Sequence, residues 1–199
     1  MSVKVFTIRV TYEGCENIIW REYQVSSNCT LAQLGYLILT SFDTMCYHMF
    51  EFEYMNKKYV MDQDDYDYLP EDTDCGILKK TKLNSLELSV GSNMSMTYDL
   101  GCCQEFSAVV TAIADMQPHH GRSYPKVVAG ESKGIIDDMP ADALMDEIKK
   151  IDKTDKCSFV YPGFKDCEKI WDYRDYDAEL DDLGIRDFVR MTQDNYENY

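Results

Sequence analysis

The stretch Val3-Lys4-Val5-Phe6-Thr7-Ile8-Arg9-Val10-Thr11-Tyr12, followed after a turn at Gly14 and Asn17 by Ile18-Ile19-Trp20-Arg21-Glu22-Tyr23-Gln24-Val25, decides the fold. Both runs are rich in β-branched and aromatic residues, which suit a pleated, half-buried surface. Strand side chains alternate, so Ile19, Arg21, Tyr23 and Val25 share one face and Trp20 takes the other. Two such runs joined by a few turn residues predict a β-hairpin. The period then changes. Leu31, Leu34, Ile38 and Phe42 recur at helical spacing, and Thr30 stands three residues before Gln33 in the capping-box pattern. The predicted helix lays an apolar stripe on the hairpin.

The chain continues with strands. His48, Phe50, Phe52 and Tyr54 alternate with Met49, Glu51, Glu53 and Met55, and Asn56-Lys57-Lys58 turns into Tyr59-Val60-Met61. Residues 83–90 and 94–99 read as two strands joined by Gly91-Ser92-Asn93, with Leu86, Leu88 and Val90 meeting Met94, Met96 and Tyr98 across the hairpin. Residues 106–114 read as another strand, and Pro118, Gly121 and Pro125 open a loop region. Met139-Pro140 precedes a helix over 141–151, carrying Leu144, Ile148 and Ile151 on one side. A short helix near 185–191 docks Phe188 and Val189 inward. The fold class expected is α+β: mainly antiparallel sheet, a ββα start of the β-grasp kind, and helices packed on it. Residues 1–155 form the domain, and 156–199 are an acidic C-terminal extension packing on it.

Composition narrows the function. Acids outnumber bases 36 to 20, a formal charge of −16. Nucleic-acid binding is driven by Lys and Arg displacing counterions, so direct binding to DNA or RNA is disfavoured. The charge is explained by solubility, or by a protein partner with a basic surface. No apolar run approaches the roughly 20 residues of a membrane span, and no secretory signal opens the chain. The 8 cysteines are scattered, and Cys102-Cys103 lacks a metal or redox spacer, so they read as free thiols in a cytoplasmic protein.

Few residues carry chemistry. His48 with Asp99 and Glu105 could run acid–base chemistry or hold a metal, although their spacing does not join them; a structural His48 beside the phenylalanines is the plainer reading. Trp20 and Arg21 are either a core aromatic and an ion-paired arginine or an anchor for a ligand. Tyr98 and Tyr124 complete the candidate binding residues. The segment Trp171-Asp172-Tyr173-Arg174-Asp175-Tyr176-Asp177 offers rings and charge to a basic partner. The acidic stretch between Asp62 and Asp74 lacks the Gly and Glu of a calcium loop, and His119-His120 has no metal-ligand companions. Cys102 is a poor nucleophile beside Glu105, which raises its thiol. No nucleophile elbow or phosphate-cradling loop occurs, so no cofactor is expected.

Five segments in order resemble the family named for the third open reading frame of plasmid pRiA4b. They are Ile19-Trp20-Arg21 with Tyr23 and Val25; Thr30-Leu31-Ala32-Gln33-Leu34; His48-Met49-Phe50-Glu51-Phe52; Tyr98-Asp99-Leu100-Gly101; and Tyr124-Pro125-Lys126-Val127-Val128-Ala129-Gly130. The chain departs from the family pattern where Cys102 replaces an acid, where Gln104-Glu105 replaces a tryptophan region, and at Gly134-Ile135-Ile136-Asp137-Asp138. The resemblance implies an antiparallel α+β domain and an association with plasmids and mobile elements, without an established activity. The expected function is a non-catalytic intracellular interaction module for a basic partner, with a small hydrolase-type or metal-dependent enzyme using His48 and Asp99 or Glu105 as the alternative.

Overall fold

The computed structural model describes residues 2–62, 74–118, 121–157, 159–160, 168–169 and 171–198. The acidic stretch at 63–73, His119-His120 and Cys167 lie outside the described residues. The chain forms an α+β fold around an eight-stranded sheet in the order β5-β4-β3-β6-β7-β1-β2-β8. Its strands are β1 (Lys4–Tyr12), β2 (Trp20–Ser26), β3 (Phe50–Tyr54), β4 (Lys57–Val60), β5 (Cys75–Ile77), β6 (Asn93–Tyr98), β7 (Gln104–Asp115) and β8 (Lys126–Glu131). Neighbours are antiparallel except the parallel edge pair β4 and β5. The helices are α1 (Leu31–Ser41), α2 (Ala141–Thr154) and α3 (Ala178–Glu197).

Alternation makes one face of the sheet apolar. Ile8, Val10 and Tyr12 of β1, Tyr23 and Val25 of β2, Phe50 and Phe52 of β3, Met94 and Met96 of β6, and Phe106 and Val110 of β7 are all buried. Helix α1 covers this face; its Thr30 hydroxyl accepts from Gln33 N–H while the Gln33 side chain accepts from Thr30 N–H, the reciprocal cap predicted from sequence. Phe42 at its end meets Phe106 edge-on at 5.0 Å, and Tyr12 lies 5.3 Å from Phe106. The opposite face carries Arg9, Trp20, Glu22, Glu53 and Glu105 and stays half-buried or exposed, as one-sided antiparallel sheets do. The β3–β4 hairpin turns at Met55 and Asn56, both at positive φ, the geometry of a two-residue turn matched to strand twist.

Three sequence expectations are corrected. Residues 83–90 are not a strand: Leu83–Ser85 is a 3-10 turn that buries Leu83 and Leu86 at i,i+3 spacing, and Glu87 sits at φ 52°, which ends any extended run. Strand β6 therefore pairs with β3 and β7. Residues 126–131, read as no strand, extend the sheet beside β2. The final helix begins at Ala178, not near 185, because the Asp177 carboxylate caps it, accepting from Glu179 and Leu180 N–H, and acids in its first turn complement the positive end of the helix dipole. Helix α3 packs on α1 and β8, and Asp182 accepts from Val127 N–H at 2.8 Å. Among the described residues no helix is long and apolar enough to cross a membrane.

Candidate functional site

Antiparallel register builds the site. Phe50 of β3 faces Tyr98 of β6, so the residues just outside this pair converge at one sheet end. Asp99 N–H donates to Met49 C=O at 3.1 Å, which places Asp99 beside His48. The His48 Nε2 lies 3.5 Å from Asp99 Oδ2 and 2.9 Å from Asp138 Oδ1. Asp138 arrives from the segment that precedes α2. One ligand atom from each of the three residues falls within 4.8 Å of the others, a grouping suited to a metal ion.

Each carboxylate is held by one oxygen and offers the other. Asp99 Oδ1 accepts from Gly101 N–H at 3.1 Å, leaving Oδ2 toward His48. Asp138 Oδ2 accepts from the Tyr47 hydroxyl, leaving Oδ1 toward His48. Outer hydrogen bonds of this kind orient metal ligands. Both acids sit in the left-handed region, at φ 53° for Asp99 and 59° for Asp138, where Asp is among the few residues tolerated. The imidazole packs edge-on to Tyr98 at 5.5 Å and against Tyr47 at 4.2 Å. Its backbone C=O accepts from the Tyr196 hydroxyl of α3 at 2.5 Å. His48 is 24% exposed and Asp138 36%, so the cluster opens to solvent on one side.

A second acid lies beneath. Asp137 is fully buried, and its two oxygens accept from the Tyr98 hydroxyl at 2.7 Å and Met45 N–H at 2.9 Å. Burial raises its carboxyl above the ordinary range, and the Tyr98 and Met45 hydrogen bonds and the His48 charge oppose that rise. The Cys102 thiol is pushed up by burial first and then by Asp99 and Asp138, so these acids, rather than Glu105, suppress it.

Among the residues singled out from sequence, His48 and Asp99 meet and Glu105 does not. Glu105 is exposed on β7 opposite Thr97. The third member, Asp138, escapes the sequence reading; its only signal is the departure at Gly134-Ile135-Ile136-Asp137-Asp138. Arg21 and Tyr98 are fully buried, so neither presents a surface. Trp20 is not a core residue: it lies on the outer face of the sheet, under the Arg9 guanidinium at 3.8 Å, and donates to Glu131 at 3.0 Å. The inward position belongs to Arg21, whose charge is met by the carbonyls of Trp20, Ser41 and Glu131 and by Asp181. Trp171, expected to face a partner, is 3% exposed and donates to Gly134 C=O, because the 171–177 segment closes over the core. Tyr124 is half-buried on a separate cleft of about 1010 Å³ that Arg186 and Arg190 also line.

No curated protein matches the chain. It is similar in structure to the protein of unknown function MM3350 from Methanosarcina mazei Go1, with a TM-score of 0.64 and 21% identity over 78% of this chain and 85% of that one. That likeness shows the fold. Residues 4–156 match the family described as plasmid pRiA4b ORF-3-like protein, and the chain belongs to that family.

Proposed function

We propose that the protein binds one divalent cation through His48, Asp99 and Asp138, and that this centre serves hydrolytic chemistry. The observation that carries the reading is the convergence of one imidazole nitrogen and two carboxylate oxygens within 4.8 Å from three separate segments. Ligands about 2.0–2.2 Å from a shared ion sit about 2.9–3.6 Å from one another. The separations of 2.9 and 3.5 Å from His48 Nε2 match that spacing. One imidazole with two carboxylates favours Mn²⁺, Fe²⁺ or Zn²⁺ over a purely oxygen-seeking ion. Three protein ligands leave positions for water, and a bound ion lowers the pKa of such water enough to make it a nucleophile near neutral pH.

Without an ion, the same three residues form a hydrogen-bonded histidine–carboxylate cluster. Titration calorimetry with Mn²⁺ and Zn²⁺ separates the two states. The expected result is saturable binding of one equivalent, weakened by at least about tenfold in His48→Ala and in Asp138→Asn. Absence of saturable binding, or binding that these variants leave unchanged, overturns the reading.

A further inference from the structure

Helix α3 buries Ile185, Val189 and Thr192 against the domain and turns a second apolar strip outward. On that strip Leu180 is 68%, Met191 62% and Phe188, expected from sequence to dock inward, 58% exposed. With Met45, which is 45% exposed, they border a cleft of about 460 Å³ between α3 and the loop that follows α1. Singly scattered apolar residues are normal on a surface, but a contiguous set around a concavity marks an interaction site. Methionines at its edge suit a surface that adapts to its occupant.

The charge around the cleft is one-sided. Asp43 and Asp181 line it, Asp181 turned inward to Arg21, and among the described residues no lysine or arginine does. By helical period, Asp194 follows near the apolar strip, while Asp187, paired with Arg190 at 3.4 Å, lines the other cleft with Arg186 and Arg190. A second copy of the chain would bring a net charge of −16 against another −16. An anionic lipid surface is repelled for the same reason. What complements this surface is a cationic segment with apolar anchors.

We propose that the cleft is a docking site for a basic amphipathic helix of a protein partner. Its apolar side chains seat against Leu180, Phe188, Met191 and Met45, and its Lys and Arg side chains face Asp43 and Asp194. The site is independent of the cation centre, although the two flank one loop: Met45 borders the cleft and its N–H holds Asp137.

The test uses a synthetic amphipathic helical peptide of leucine and lysine, followed by fluorescence anisotropy against the full chain in EDTA, so that loss of a metal has no bearing on it. The counter-probe has every lysine replaced by glutamate. The expected result is 1:1 binding of the cationic peptide, weakened by salt, and none of the anionic one. Phe188→Ala lowers affinity by about tenfold, whereas Leu183→Ala, at a still more exposed position outside the cleft lining, changes it less than about twofold. Equal affinity in Phe188→Ala means diffuse charge attraction and overturns the proposal. Absence of peptide binding overturns it, as does concentration-dependent dimerisation of the protein that Phe188→Ala abolishes.

Discussion

Arg21 of β2 and Asp181 of α3 meet in the interior, Nε to carboxylate at 3.5 Å, and so join the first hairpin to the last helix. The guanidinium carbon lies 3.7 Å from the Tyr176 ring centre and 5.0 Å from that of Phe42. Three carbonyls also accept from it. Removing one partner of such a pair leaves a charge in the core. Arg21→Ala should therefore destabilise the protein by about 3–5 kcal/mol. Replacing both, as Arg21→Met with Asp181→Leu, should recover most of that loss. Urea midpoints at constant m-value check both expectations.

The pair also sets a pH dependence. Burial outweighs Arg21 and pushes the Asp181 carboxyl up to about 6. A carboxyl whose folded pKa exceeds its unfolded one binds its proton more tightly when folded. Its contribution is fully present below the unfolded value near 4 and is lost as pH rises through about 6. Each tenfold gain in proton affinity on folding corresponds to about 1.4 kcal/mol, so that contribution is about 2–3 kcal/mol. The wild type should therefore lose stability relative to Asp181→Asn between pH 4 and pH 7. Urea unfolding of the two proteins across that window measures the difference, and a flat difference contradicts the assignment.

At the proposed cation centre, Tyr47 holds Asp138 through one oxygen and makes no claim on the other. Tyr47→Phe keeps the ring and removes that bond. Mn²⁺ affinity should fall by about tenfold, the usual cost of losing an outer-shell partner, with little change in melting temperature because Tyr47 is 52% exposed. Calorimetric titration alongside a thermal melt separates the two effects. A lower melting temperature with unchanged affinity would assign Tyr47 to loop packing instead.

Local chemistry makes the first third of the fold legible. Alternation in β2 and the Thr30–Gln33 cap depend on neighbours a few residues away, and both read correctly from sequence. The 83–90 segment misleads because Leu86, Leu88 and Val90 alternate like a strand, while Val90 is in fact 63% exposed and Leu83 pairs with Leu86 in a turn. Helix α3 reads too short from sequence because its first turns are held by a cap and by acids at the positive end of the dipole, not by an apolar stripe. The site divides in the same way. Asp99 reaches His48 through strand register, which a correct pairing of β3 with β6 would have given. Asp138 comes from 90 residues away on an irregular segment, and no local period announces such a contact.

That irregular segment rests on one glycine. Gly134 crosses the end of α1 so closely that a Cβ there would lie 1.8 Å from the Phe42 carbonyl oxygen, and the next residue, Ile135, donates to that same oxygen at 2.9 Å. The obstacle is backbone, so no rotamer change relieves it. Gly134→Ala must push the segment off α1, at a cost of about 3 kcal/mol, the upper end for an overpacked core position. The same displacement moves Asp137 and Asp138, three and four residues on, away from Met45 and His48. The variant should therefore lose stability and cation affinity together, in contrast to Gly91→Ala, whose Cβ would meet nothing within 4 Å and whose φ of 91° makes its strain local to the turn. Thermal melts and Mn²⁺ titration of both variants test this coupling. A Gly134→Ala protein that melts early yet binds Mn²⁺ as tightly as the wild type would show that the crossing at Phe42 does not position Asp138.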